Sequence, residues 1–572
     1  MTRKLLILLA ICMAACVFAE EKKPIVIGQA IDFLDNAFFT GKADYYSKEE
    51  LRERVQASYD AGVRRVYFRG TGGVTYYPSS VRRMYTGSHN NEWAMKLYKT
   101  IHSYDVVAEY IKVCHELGME LYYWDPVFDC SLYTENFPGT EDYANFGPLP
   151  TADLNIKEEH WVKHRQADLR PRENLHGAIG EIRLHLARAP EPAITADNLV
   201  IYTAPHIGEG NFKRYEKPFT VRMEGDDVII SDLYITDPVI KFTGDFRAIS
   251  ETKSPEAAKA TYTSGEPVTL FTCCELTLGG DKDYERVLHG CAGFGSWWGG
   301  KEGSFIVRFG DFERYARGVP EYAFRENRER MERIVAELYE RYPDLDGVAF
   351  SIRSHSLARG GDWTELGGGN LFYGFSDPVV EEFQRRYGID PRKEAYDEQA
   401  FLKLRGEYFT QMLDGVAKII HAKGGRLSVM AAVDRRKVGP YDHGSMYPWL
   451  SRYNIGNYFD IGTWAKRGIV DNVIMLGTGH QQNEWTQGWQ DEVKAFKAQL
   501  AGTNTKLTLH YLINSAKLEN VRNVLPKVLA ENDIDEVEFY EEVHMFHYGS
   551  YPILKETLEA SGRPHWRSRW TK

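Results

Sequence analysis

FLKLRGEYFTQMLDGVAKIIHAKGGRLSVMAAVD, residues Phe401 to Asp434, is the stretch from which the fold follows. In its first part Phe409, Met412, Leu413, Val416 and Ile420 recur at three- and four-residue spacing, which lines them along one face of a helix. Gly424 then stands where a helix C-cap favours a left-handed residue. LSVMAAV follows as an apolar run interrupted only by Ser428, the kind of strand that a parallel sheet buries on both faces. Helix and strand are so close in sequence that the chain must turn straight back, and the strand delivers Asp434 at its carboxyl end.

The same unit repeats on either side. Strands are expected at Pro24–Ile31, Arg64–Gly70, Met119–Asp125, Asp346–Ser354, Arg426–Asp434, Val470–Leu476, Lys506–Ile513 and Asp535–Glu542. Between them lie amphipathic stretches such as SKEELRERVQASYDAG, YDVVAEYIKVCHELG and ERMERIVAELYERYP, with Gly62 and Gly118 at cap positions. Eight strand-and-helix units predict an α/β fold, a closed (β/α)8 TIM barrel. An open doubly wound sheet is the alternative, but no GxGxxG follows the first strand.

One stretch breaks the rhythm. GEIRLHLARA, NLVIYTA, PFTVRMEGDDVIISDLYI and PVIKFTG alternate polar and apolar residues over short spans with turn residues between, which predicts an inserted antiparallel β-sandwich-like domain. The expected organisation is a signal segment over 1–19, barrel over 20–166, the insert over 167–300 and barrel again over 301–572.

The chain opens MTRKLLILLAICMAACVFAEEKK: two basic residues, an apolar run from Leu5 to Val17, then small residues. That order is a secretory signal, too short to span a bilayer. Cleavage after Ala19 gives a secreted or periplasmic protein, whereas lipid attachment at Cys16 in MAAC ties it to a membrane surface. A net charge of −11 without a basic stripe speaks against nucleic acid as a partner. Of 7 cysteines, Cys12 and Cys16 fall in the signal, and no CxxC or Cys/His spacing suggests a metal site; Cys273, Cys274 and Cys291 are close enough in sequence to include a disulfide. No cofactor motif is present: the GGGN run after Trp363 has neither the strand before it nor the lysine of a phosphate loop. With 35 Tyr and 12 Trp, many in YYPS, YYWD, SWWGG and NEWTQGW, aromatic faces are available to stack on sugar rings, so carbohydrate is the expected partner.

Barrel active sites form at the carboxyl ends of the strands. Those ends carry Asp32 and Asp35, Arg69, Asp125 and Asp129, Arg353 and His355, Asp434 with Arg435 and Arg436, His480 and Glu484, His510, and Glu541 and Glu542. Glycosidic cleavage needs one protonated carboxyl and one ionised carboxylate, and the expected pair is drawn from Asp434, Glu541 and Glu484. Alternation does not choose between Glu541 and Glu542. Arg353 and His355, two apart and so on one side of the chain, are expected to hold substrate together with Arg69, Asp125 and His510. Trp363, Trp464 and Trp485 are candidate sugar platforms. Each has a structural alternative: Asp434 paired with a neighbouring arginine, Glu484 capping the next helix, the tryptophans packed in loops. The arginines hint at an acidic or sulfated sugar.

The stretches DGVAFSIRSHS, YGFSDPVVEEFQRRYGIDPRKEAYDEQAFLKLRGEYFTQML and GGRLSVMAAVD, from Asp346 to Asp434, resemble glycoside-hydrolase-like barrel proteins that environmental bacteria export to degrade polysaccharides, loosely similar to glycoside hydrolase family ten. The resemblance implies a (β/α)8 fold and hydrolysis of glycosidic bonds. It does not supply the site. In the large retaining superfamily of such barrels the fourth strand ends in Asn-Glu and the seventh in a nucleophilic Glu, whereas here those places read Arg353-Ser354-His355 and His510-Tyr511-Leu512. A barrel that binds carbohydrate without cleaving it is the competing expectation. A lyase or esterase is disfavoured, since no GxSxG elbow occurs.

Overall fold

Eight parallel strands close into a barrel in the computed structural model: β1 (Val26–Asp32), β2 (Arg65–Arg69), β3 (Glu120–Pro126), β4 (Gly347–Ser351), β5 (Arg426–Ala431), β6 (Asn472–Met475), β7 (Lys506–Leu512) and β8 (Glu536–Tyr540). Each pairs in parallel with its chain neighbour, and β1 pairs with β8 to complete the ring. The described residues are 22–33, 45–70, 75–85, 92–128, 168–169, 178–204, 213–243, 258–263, 267–273, 305–309, 316–352, 374–431, 458–475, 485–512 and 518–571, apart from 83, 187, 238, 532–533 and 548. The expected signal segment over 1–19, with Cys16, lies outside them, as do Cys274 and Cys291.

Helices cover the outside: α1 (Lys48–Asp60), α2 (Glu92–Ser103), α3 (Val106–Glu116), α4 (Arg325–Arg341), α5 (Asp377–Tyr387), α6 (Glu398–Ala422), α7 (Ile461–Lys466), α8 (Gln487–Leu500), α9 (Leu518–Ala530), α10 (Glu542–His547) and α11 (Tyr551–Ser561). Local sequence sets their ends. Ser47 and Glu50 form a capping box at the start of α1, with Ser47 Oγ accepting from Glu50 N at 3.1 Å and Glu50 accepting from Ser47 N at 2.9 Å. Gly424, after α6, has φ +73° and returns the chain to β5 as its position predicts. Among the described residues no helix is long and apolar enough to cross a membrane.

Strand alternation sends every second side chain toward the barrel axis. Gly28, Arg65, Tyr67, Tyr122, Asn472, Thr508 and Glu536 meet there in a polar layer where aliphatic residues are commoner. Arg65 donates to Glu120 at 2.9 Å and to Glu536 at 2.5 Å. Glu536 also accepts from Tyr67 Oη at 2.8 Å and Thr508 Oγ1 at 2.9 Å, and Asn472 joins Thr508 at 2.7 Å. The layer fills the interior so tightly that a Cβ on Gly28 would lie 2.6 Å from Glu536 Oε1 and 2.9 Å from the Tyr67 ring. The C-terminal tail closes the floor below it: Trp566 lies 5.4 Å from the Arg65 guanidinium, and Trp570 Nε1 donates to Asp346 at 2.8 Å.

Burial pushes the Glu536 carboxyl above its ordinary value of 4.5, against the opposing pull of the Arg65 guanidinium. A carboxyl raised on folding binds its proton more tightly in the native state, so its contribution is full below the unfolded value and is lost as pH rises through the folded one. The stability difference between the wild type and Glu536→Gln is therefore expected to shrink, relative to the variant, as pH rises from about 4.5. Urea melts of both proteins from pH 4 to 8 measure it; a difference independent of pH would contradict the assignment.

The insert leaves after β3 and returns before β4. A short pair of strands, Asp168–Leu169 and Ala316–Pro320, joins its two ends. Beyond it, nine strands form one antiparallel sheet in the order Lys213–Arg214, Val200–Ala204, Val239–Thr243, Phe305–Phe309, Pro267–Cys273, Ala258–Tyr262, Ile179–His185, Asp227–Ser231 and Thr220–Glu224. Val239–Thr243 and Ile179–His185 are four steps apart, roughly 19 Å along a flat sheet. Yet Ile240 and Phe242 share one buried cluster with Ile182, Leu184, Val228 and Ile230. The sheet therefore folds over on itself and packs like a sandwich. Phe305–Phe309 lies near its middle, so the β-rich region runs past the expected end at residue 300.

Candidate functional site

Above the polar layer, the upper turn of the barrel interior is built by β1, β2, β3, β7 and β8. The alternation that points Glu536 inward does the same for Glu538 and Tyr540, two and four residues on. Glu538 Oε2 is hydrogen-bonded to His510 Nδ1 of β7, the residue directly opposite in the strand register. Tyr540 turns its ring edge-on to Trp124 of β3 at 5.5 Å and lies 5.8 Å from His510. Its hydroxyl is 3.5 Å from Asp32 Oδ2, and the same oxygen takes an ion pair from Arg69. Arg69 and Asp32 face each other across β1 and β2 in register.

Glu541 follows at the end of β8, with His544 Nε2 3.5 Å from its Oε1. Exposures of 5% for Asp32, 2% for Glu538 and 3% for Glu541 show three carboxyls near the carboxyl ends of β1 and β8 that bulk water scarcely touches. Burial strengthens each charge–charge and charge–dipole contact there, which is the condition for acid–base work by carboxyls.

The structure separates residues that the sequence left level. Glu541 stays at the mouth, but Glu542 starts α10 and turns outward to pair with Arg54 of α1 at 3.0 Å, both side chains buried. Arg69 and His510 stand at the mouth, each already held by a carboxylate. Asp125, expected to hold substrate, lies on the outer face of β3, because Tyr122 and Trp124, at alternate positions just before it, point inward. Arg82 grips it there bidentately at 2.6 and 3.1 Å, with both side chains 1% exposed, so Asp125 is a structural ion pair. Trp464, expected as a sugar platform, is fully buried: its Nε1 donates to Thr410 at 2.8 Å, and its ring packs on Phe409 and Phe459. It anchors α7 to α6. Trp485 is half-buried against Trp489, ring centroids 4.6 Å apart. Asp434, Glu484, Arg353, His355 and Trp363 lie outside the described residues.

Trp124, Glu538 and Tyr540 were not among the expected site residues. The signal for the last two was the spacing within DEVEFYEE: with a polar Glu536 inside the barrel, Glu538 and Tyr540 must share its face. Looking only past the strand ends overlooks side chains that reach the mouth from within it. Among the described residues no group of three or more His, Cys, Asp or Glu side chains is placed to hold a metal ion.

No protein-family model matches the chain, and no curated protein matches it. Two of the solved structures similar to it span nearly its whole length. The crystal structure of the catalytic domain of beta-amylase from Paenibacillus polymyxa has 9% sequence identity and a TM-score of 0.42, covering 95% of this chain and 100% of that one. The PgaB (BpsB) glycoside hydrolase domain from Bordetella bronchiseptica has 10% identity and a TM-score of 0.40, covering 94% of this chain and 98% of that one.

Proposed function

We propose that this chain is an exported glycoside hydrolase that cleaves O-glycosidic bonds of a polysaccharide or oligosaccharide with carboxyl groups at the carboxyl rim of its barrel, needing no cofactor. The observation that carries the reading is the gathering of buried Asp32 and Glu538 around Trp124 and Tyr540 inside the barrel, with buried Glu541 next in sequence after Tyr540 at the end of β8. Aromatic walls suit the apolar faces of a sugar ring, and buried carboxyls suit the proton transfers of hydrolysis. Glu541 is one of the catalytic pair in this reading; Asp434 and Glu484 keep their place as candidates for the other. Arg353, His355, Trp363 and Trp485 remain candidate substrate contacts. The Arg69 charge is matched by Asp32, so a preference for an acidic or sulfated sugar rests on Arg353 and Arg435.

A second reading, a barrel that binds carbohydrate without cleaving it, is favoured by the way Asp32 and Glu538 are each committed to a basic partner. One experiment separates the two. Purified protein is incubated with neutral, uronic and sulfated glycans, new reducing ends are measured, and binding is followed by affinity electrophoresis. Release of reducing ends from at least one glycan is expected. Retardation by a glycan with no new ends from any would replace the hydrolase with the binding protein.

A further inference from the structure

Two polar atoms inside the mouth have no hydrogen-bond partner among the described residues: the indole N–H of Trp124 and Glu538 Oε1. Both side chains are at least nine-tenths buried. A buried donor or acceptor left unmade is costly, and native proteins keep few of them without a function or an unseen partner. These two lie at opposite ends of one continuous wall, Trp124 to Tyr540 to His510 to Glu538. One is a donor and the other an acceptor. A sugar ring carries several hydroxyls, each able to donate or accept, so a bound sugar satisfies both ends where an apolar ligand would not.

The two oxygens of Glu538 are also unequal. Oε2 is tied to the imidazole of His510, which sits in register beside it, and Oε1 is left without a hydrogen-bond partner. An imidazole against one oxygen fixes the plane of the carboxyl and leaves the other oxygen to face a ligand. The neighbouring charged groups are themselves balanced: Arg69 belongs to Asp32, and His544 lies beside Glu541.

We infer that Glu538 is the ionised catalytic carboxylate of the hydrolase proposed above, presenting Oε1 to the anomeric carbon, with His510 as its positioning residue and the Trp124 N–H as donor to a sugar hydroxyl. The inference rests on the hydrolase reading. The glycosidic C–O bond breaks, its electron pair leaves with the glycosidic oxygen, and that oxygen takes the proton of the second carboxyl. In an inverting reaction water bonds to the anomeric carbon through oxygen and its proton passes to Glu538. In a retaining one Oε1 first forms an ester with that carbon, and water then cleaves the ester, returning a proton to the second carboxyl.

The test uses the full chain and a nitrophenyl glycoside of the sugar that the wild type attacks. Glu538→Ala and Glu538→Gln are expected to lose at least about 10³-fold in kcat while keeping wild-type circular dichroism. Sodium azide should restore nitrophenolate release to Glu538→Ala and yield a glycosyl azide of configuration inverted from the substrate, since azide then occupies the vacated face. His510→Asn should lower kcat with little change in KM and move the acidic limb of the pH–rate profile, which a merely structural histidine would leave in place. A folded Glu538→Gln within tenfold of wild type would overturn the inference and leave the hydrolase standing. Azide product of retained configuration would also overturn it, by making Glu538 the acid. A wild type silent on every glycan would sink the hydrolase reading itself, and the inference with it.

Discussion

Glu541→Gln is expected to lower kcat by about 10²–10⁴-fold, the range that a positioned proton donor or acceptor contributes, with the fold intact. Glutamine keeps the shape of the side chain and its contact near His544, so the loss would come from the missing proton rather than from repacking. The leaving group should reveal the role. If Glu541 is the acid, the variant loses least on an aryl glycoside whose phenolate departs without a proton, and most on a natural glycan. An equal loss on both would move Glu541 from acid to another function. Its neighbour makes the control. Glu542→Gln strips Arg54 of its buried carboxylate partner, so it should lower the melting temperature while leaving kcat near wild type. Two adjacent glutamates should thus fail in opposite ways.

Arg65→Ala should give the largest loss of stability, about 3–5 kcal/mol, as expected when one partner of a buried ion pair is removed and the other is left in place. Arg65 is a single cation between two carboxylates, Glu120 and Glu536, all three buried inside the barrel. Alanine would leave both acids unpaired and open a void under Trp566. The urea midpoint measures the loss. A companion variant with Arg65→Met, Glu120→Gln and Glu536→Gln together should recover much of it, because replacing an entire buried ionic group is often close to neutral. If Arg65→Ala alone lost less than about 1 kcal/mol, the value typical of an exposed pair, the polar layer would not carry the barrel.

The strands and helices were legible because they depend on neighbours along the chain. The helical spacing from Phe409 to Ile420 and the glycines at helix ends each act within a few residues, and the structure has them where the sequence puts them. The insert's short alternating strands were legible for the same reason. Burial is a different matter. Trp464 reads as an aromatic available to a sugar, but Phe409 and Thr410, the latter 54 residues away, close over it together with the nearby Phe459. Asp125 reads as a rim carboxylate until Arg82, 43 residues away, is seen to hold it on the outer face of β3.

Sequence alone therefore determined that eight strand-and-helix units would form a parallel barrel interrupted in sequence by an antiparallel insert, since periodicity and end signals are local. Only the tertiary structure decided which carboxyls share the mouth. Pairing of Asp32 with Arg69, of His510 with Glu538 and of Glu542 with Arg54 spans 37, 28 and 488 residues. A carboxyl's environment is set by whichever strands the closed ring brings beside it. Closure sets Glu538 against His510 inside the barrel, leaves Glu541 at its edge and sends Glu542 to the helices outside.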